Sequence, residues 1–191
     1  MKFEEWKKLN EIGDRIKTPK ILKRFNWPFD TKGNRGSKTF FYDIEMEKDV
    51  YQVVIQILTN GDKSSIKIDF GRIVEGNLSM DMTNSGIMLE LMSNLVGTIK
   101  EWLQDYKGNE TIYSIIVGAK MEHGLDFRRA KIYDAYLKNN FKKMGIQVRE
   151  EFDITDEWRK EFPDDNQSKM TNYRLEPISL DTIRKAISNR I

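Results

Sequence analysis

The spacing of apolar positions changes along the chain, and each change marks a new kind of element. Phe3, Trp6, Leu9, Ile12 and Ile16 recur at helical spacing, which predicts a helix over residues 3–16. Thr18-Pro19 ends it, because the residue before a proline avoids the α region. Ile21–Phe25 reads as a short second turn. Asn26–Lys38 holds two glycines, a proline and several turn formers, and reads as a loop. From Thr39 the period is two: Phe40, Tyr42, Ile44 and Met46 alternate with Phe41, Asp43, Glu45 and Glu47. Val50–Leu58 is β-branched and aromatic, as strands are. Thr59-Asn60-Gly61-Asp62 carries the Asn-Gly hairpin signal, and Ile66, Ile68 and Phe70 alternate again after it. After a break at Glu75-Gly76, Asn77–Met82 predicts a fourth short strand. Four short strands with tight links predict an antiparallel meander.

The period then becomes helical. Met88, Leu91, Met92, Leu95, Val96, Ile99, Trp102 and Leu103 form one apolar stripe, with Thr83 or Ser85 able to cap its start and Gly108 beyond its end. Thr111–Val117 is a near-continuous apolar run, expected of a strand covered on both faces. Phe127–Met144 predicts a second amphipathic helix, closed by Gly145 where a helix end favours a left-handed residue. Ile146–Phe152 and Met170–Leu175 predict two more strands around a charged excursion, Trp158–Lys169, and Ser179 caps a short last helix. The expected fold is α+β: a mixed, mainly antiparallel sheet, with the four-strand meander followed by α-β-α-β-β, and helices on both faces. Residues 1–38 are expected to form a basic helical arm and loop, and residues 39–191 the domain proper.

Composition narrows the chemistry. The 191 residues include no cysteine and a single histidine, His123, which excludes thiolate metal sites, a cysteine nucleophile and two-histidine zinc motifs. No apolar run approaches a membrane span, and the opening MKFEEWKKLN lacks the apolar core of a signal peptide, so no membrane partner and a cytoplasmic location are expected. The net charge of +2 is unevenly spread: residues 1–38 carry +6, 39–110 carry −6, 111–149 carry +5 and 150–191 carry −3. Basic blocks attract phosphate groups, but no base-reading or RNA-binding motif accompanies them, so nucleic acid is not the expected partner.

The element order, together with two local sequences, resembles the GNAT superfamily of acetyl-CoA-dependent N-acetyltransferases over about residues 38–178. In that family a loop of the form Q/R-x-x-G-x-G/A opens the helix after the meander and holds the cofactor pyrophosphate. The matching segment here is Thr83-Asn84-Ser85-Gly86-Ile87-Met88. It keeps one glycine, Gly86, with Thr83 in place of Gln/Arg and Met88 in place of the last Gly/Ala. Exposed N–H groups at a helix start bind phosphate, and glycine lets the backbone approach it. The family's next helix carries an aliphatic residue followed by tyrosine, here Ile132-Tyr133. The layout also resembles small phage-encoded proteins.

The resemblance implies acetyl-CoA as cofactor, no metal, and a small-molecule or protein amine as acceptor. It implies that Met82, Thr83, Asn84, Ser85, Gly86, Ile87 and Met88 hold the cofactor, with a strand N–H near Met82 polarising the thioester carbonyl. It implies that Tyr133 protonates the leaving thiolate, and that a meander carboxylate removes the amine proton, with Asp81 and Glu75 nearest the expected strand. The alternative is a non-catalytic GNAT-like binding or virion-associated phage protein, its basic arm from Lys2 to Lys38 contacting a protein partner, located in host cytoplasm or virion. On either reading, Asn77–Met82 and Thr111–Val117 are expected to be neighbouring parallel strands joined by the helix between them.

Overall fold

The structure is a computed structural model and describes residues 19–32, 35–46, 48–79, 88–120, 127–161 and 168–188. β1 (Lys20–Lys32), β2 (Arg35–Met46), β3 (Asp49–Asn60) and β4 (Lys63–Val74) form the antiparallel meander. A three-residue strand, β5 (Asn77–Ser79), folds back on the end of β4. Then follow α1 (Met88–Asp105), β6 (Thr111–Lys120), α2 (Phe127–Lys143), β7 (Val148–Asp153), α3 (Thr155–Glu161), β8 (Ser168–Ser179) and α4 (Leu180–Ser188). Seven strands lie in the order β1-β2-β3-β4-β6-β8-β7, with β5 on β4 off this path. Every pairing is antiparallel except β4 with β6. The fold is therefore mixed α+β with a mainly antiparallel sheet, and α-β-α-β-β follows the meander once the short α3 is set aside.

Alternation decides which face is buried. Tyr42, Ile44 and Met46 of β2 face the same side as Tyr51, Val53, Ile55 and Ile57 of β3 and Ile66, Ile68 and Phe70 of β4, and all are buried. Leu91, Met92, Leu95, Val96, Trp102 and Leu103 of α1 cover them, joined by Leu137 and Phe141 of α2 and Leu180, Ile183 and Ile187 of α4. α1 touches both α2 and α4, so these three helices share one face. Arg184 of α4 donates to the carbonyls of Tyr106 (2.8 Å) and Gly108 (2.9 Å), which satisfies orphan acceptors past the end of α1 and fixes the approach to β6. At the end of α2, Gly145 has φ +77° and Ile146 N–H bonds Phe141 O at 2.9 Å, the left-handed stop its position predicts. Ser179 Oγ accepts from Thr182 N–H at 3.1 Å and caps α4.

Three local expectations are corrected. The turn at Ile21–Phe25 and the loop at Asn26–Lys38 are instead the paired strands β1 and β2. Pro28 fits because β1 is an edge strand and its register breaks between Trp27 and Asp30, where no ladder N–H is required. The fourth long strand of the meander is thus β4, not Asn77–Met82. Glu75 (φ 51°) and Gly76 (φ 80°) make a tight two-residue turn, with both central residues left-handed, and return Asn77–Ser79 antiparallel to Arg72–Val74. The parallel neighbour of β6 is accordingly β4. The crossover strand–helix–strand exists, but it starts one strand earlier than the periodicity suggests. Within the predicted excursion Trp158–Lys169, α3 already begins at Thr155, its first turn held by Asp153 Oδ1 accepting from Thr155 N–H at 3.0 Å. The helix predicted over residues 3–16 lies outside the described residues. No described helix is long and apolar enough to cross a membrane.

Candidate functional site

A parallel pair inside an antiparallel sheet is a place where the chain's direction of winding switches, and ligands of mixed sheets favour the carboxyl ends of such strands. β4 and β6 pair from Ser64 with Ile112 to Ile68 with Val117. Beyond that point no β4–β6 pair follows among the described residues. β4 runs on through Asp69, Phe70 and Gly71 and then takes β5 as its neighbour at Arg72–Val74. β6 runs on through Gly118 to Lys120, paired on its other side to β8. The edges of Asp69–Gly71 and Gly118–Lys120 thus form no ladder with each other among the described residues. The next helices along the chain start at Met88, after β5, and at Phe127, after β6, and the first N–H groups of a helix lack intrahelical partners.

Side chains at this parting point are tightly placed. Lys67 and Asp69 alternate with core residues Ile66, Ile68 and Phe70, so they lie on the face away from the helices. They pair with each other, and their side chains are only 12% and 11% exposed. A Cβ on Gly118 would stand 2.9 Å from Asp69 Oδ1 and 3.0 Å from Met170 Sδ. Glycine is needed there because the carboxylate and the thioether close on the bare backbone. Nearer the start of the pair, Ser65 Oγ and Ser114 Oγ bridge the strands at 2.7 Å.

Of the residues expected in the site, Asp81, Met82, Thr83, Asn84, Ser85, Gly86 and Ile87 lie outside the described residues. Met88 is the first residue of α1 and Tyr133 lies on α2, with only their backbones described. Other meander carboxylates are accounted for. Asp43 accepts from Gln52 Nε2 at 2.8 Å, Glu45 pairs with Lys20, and Glu75 is exposed on the β4–β5 turn. Asp69 is the buried one, 8% exposed, and periodicity hid it: an acid alternating with isoleucines reads as a solvated face. The signals available in sequence were the glycines Gly71 and Gly118 in strands that otherwise favour branched residues.

The tyrosines of α2 and β8 divide by partner. Tyr136 is 4% exposed and burial raises its pKa; Ser93 and Asn140 lie near, but its hydroxyl completes no hydrogen bond. Tyr173 is 2% exposed and donates to Asp134 Oδ1 at 2.7 Å, and burial followed by that carboxylate drives its pKa strongly upward. Tyr136→Phe is therefore expected to change stability by less than about 0.5 kcal/mol, because an unmade bond is not lost. Tyr173→Phe is expected to cost about 1.5 kcal/mol, since it removes a hydrogen bond to a carboxylate that keeps its ion pair with Lys138 at 2.9 Å. Denaturant midpoints of the two variants check the contrast. Tyr133 is one helical turn before Tyr136, nearer the start of α2 and the carboxyl end of β6.

No protein-family model matches the sequence, and no curated protein matches it. Among solved structures, the crystal structure of Rtt109 from Aspergillus fumigatus is similar at TM-score 0.41 and 9% identity, covering 80% of this chain. The chain spans 47% of the length of that structure. A likeness at this level is a loose sharing of shape.

Proposed function

We propose that the protein is an acetyl-CoA-dependent N-acyltransferase-like protein that transfers an acetyl group to an amine. One observation carries the reading: β4 and β6 run parallel and then stop pairing among the described residues, and the crossover helix α1 lies between them in the chain. Such an opening suits an extended, amide-bearing arm ending in a pyrophosphate. The strand edges there can bond the amides, and N–H groups ahead of α1 can meet the phosphates.

Acetyl-CoA, when bound, supplies an acetyl group already activated as a thioester. The chain's residues do the rest by positioning and charge stabilisation. Met82–Met88 would hold the pyrophosphate, and the Met82 N–H would polarise the carbonyl. Tyr133 would be the proton donor to the leaving thiolate. Asp81 takes the proton of the amine, directly or through water, and Asp69 is a second carboxylate on the same run of chain.

A second reading rests on Met88. It opens α1 at the position where the resembled family has Gly or Ala, and methionine is bulkier than either. On that reading the protein binds a partner without catalysis, as a GNAT-like or virion-associated protein. Incubation with acetyl-CoA and a panel of amines, followed by mass spectrometry of the products, separates the two. An acetylated amine is expected. Unmodified amines across small molecules and lysine peptides would overturn the catalytic reading.

A further inference from the structure

On the face of the sheet away from the helices, the amino ends of β4 and β6 floor a groove of about 870 Å³. It lies at the opposite end of the strand pair from the parting point. Its volume is that of a small-molecule site. Three irregularities in strand register converge on it. Ser64 pairs with Ile112 but Ser65 pairs with Ser114, which leaves Tyr113 as an extra residue on β6. Across β6, Ile112 pairs with Ile178 and Ser114 with Arg174, so Leu175–Pro177 bow out opposite the same tyrosine. On β7, Val148 pairs with Leu175 and Glu150 with Arg174, which leaves Arg149 extra. A bulge forfeits ladder bonds and re-aims a side chain. Here both extra residues, Tyr113 and Arg149, line the groove, as do Leu175 and Pro177.

The lining has one sign of charge. Lys63, Arg149 and Arg174 contribute to it, and no Asp or Glu does among the described residues. The two arginines are already engaged, Arg149 with Glu176 and Arg174 with Glu150 at 2.9 Å. Lys63 makes no ion pair among the described residues; its Nζ lies 5.9 Å from the centre of the Tyr113 ring. Ser65 and Ser114 add hydroxyls, and Leu58 and Ile116 add apolar floor.

We propose that this groove binds a small molecule made of a flat ring bearing a phosphate or carboxylate. The ring lies on Tyr113 and the apolar floor, and the anionic group meets Lys63, with one hydroxyl of the bonded Ser65–Ser114 pair donating to it. The site is independent of the acetyl-CoA reading.

Titration of the full chain with phenyl phosphate and with benzoate, followed by amide NMR shifts, tests it. The expected result is saturable binding of at least one, with shifts at residues 63–65 and 113–116. Phenol and inorganic phosphate should each bind at least about tenfold more weakly, since each supplies half of the contacts. Lys63 is exposed, so Lys63→Glu should fold normally and weaken binding by at least about tenfold, while Gly86→Glu leaves it unchanged. Preference between the two probes identifies the anionic group. Absence of saturable binding at about 5 mM of either probe, a Lys63→Glu titration like wild type, or shifts confined to the carboxyl ends of β4 and β6 would each overturn the proposal.

Discussion

Lys67→Met is expected to cost about 3 kcal/mol of stability, read as a shift of the denaturant midpoint at unchanged slope. Lys67 and Asp69 are nearly buried on the outer face of β4, and the Asp69 carboxylate lies against the bare backbone of Gly118 on β6. Removing the ammonium leaves a carboxylate desolvated against backbone and a thioether. That penalty, rather than the attraction of the pair, dominates the expected loss. The double variant Lys67→Met/Asp69→Leu should recover most of it, to within about 1 kcal/mol of wild type, because two apolar side chains of similar size need no desolvation of charge. A double variant no more stable than Lys67→Met alone would mean that the pair stabilises the fold outright.

Tyr133→Phe is expected to lower acetyl transfer by roughly 10²-fold or more, with stability little changed. The substitution keeps the ring and removes only the hydroxyl, so it isolates proton donation from packing. The neighbouring tyrosine supplies the control. Tyr136 is buried with an unpartnered hydroxyl, so Tyr136→Phe should leave transfer per folded molecule at the wild-type level. Should Tyr133→Phe instead cost about 1 kcal/mol of stability and leave transfer intact, its hydroxyl is a structural hydrogen-bond partner. Solvent would then be the proton donor.

The sheet was legible where alternation and turn chemistry agreed. Asn60-Gly61 marks the β3–β4 hairpin, Gly145 the end of α2 and Ser179 the start of α4, and each stands where its residue type demands. It was misread where a local signal met a tertiary exception. Pro28 and the glycines near it suggest a loop, yet an edge strand with a bulge accepts a proline. Asn77–Met82 has strand-like spacing, yet the left-handed Glu75-Gly76 turn folds Asn77–Ser79 back along β4 and hands the parallel role to β4. The candidate site was less legible still. Asp69 becomes significant only once the parallel pairing brings Gly118 against it, a contact 49 residues apart in sequence along with Ser65 and Ser114. The Tyr113 and Arg149 bulges are likewise properties of register between distant strands, which no local window contains.

If the opening beyond Ile68 and Val117, with the residues ahead of α1, receives acetyl-CoA, the cofactor stabilises the folded chain. Thermal unfolding of the wild-type chain and of Gly86→Glu, each with and without millimolar acetyl-CoA, tests it most directly. A ligand that binds only the native state raises stability by mass action, by about 2.7 kcal/mol at a hundredfold excess over Kd. The wild-type midpoint should rise with acetyl-CoA concentration, and Gly86→Glu should show no rise, because its added carboxylate would repel a pyrophosphate held there. An unchanged wild-type midpoint, or an equal rise in both proteins, would contradict it.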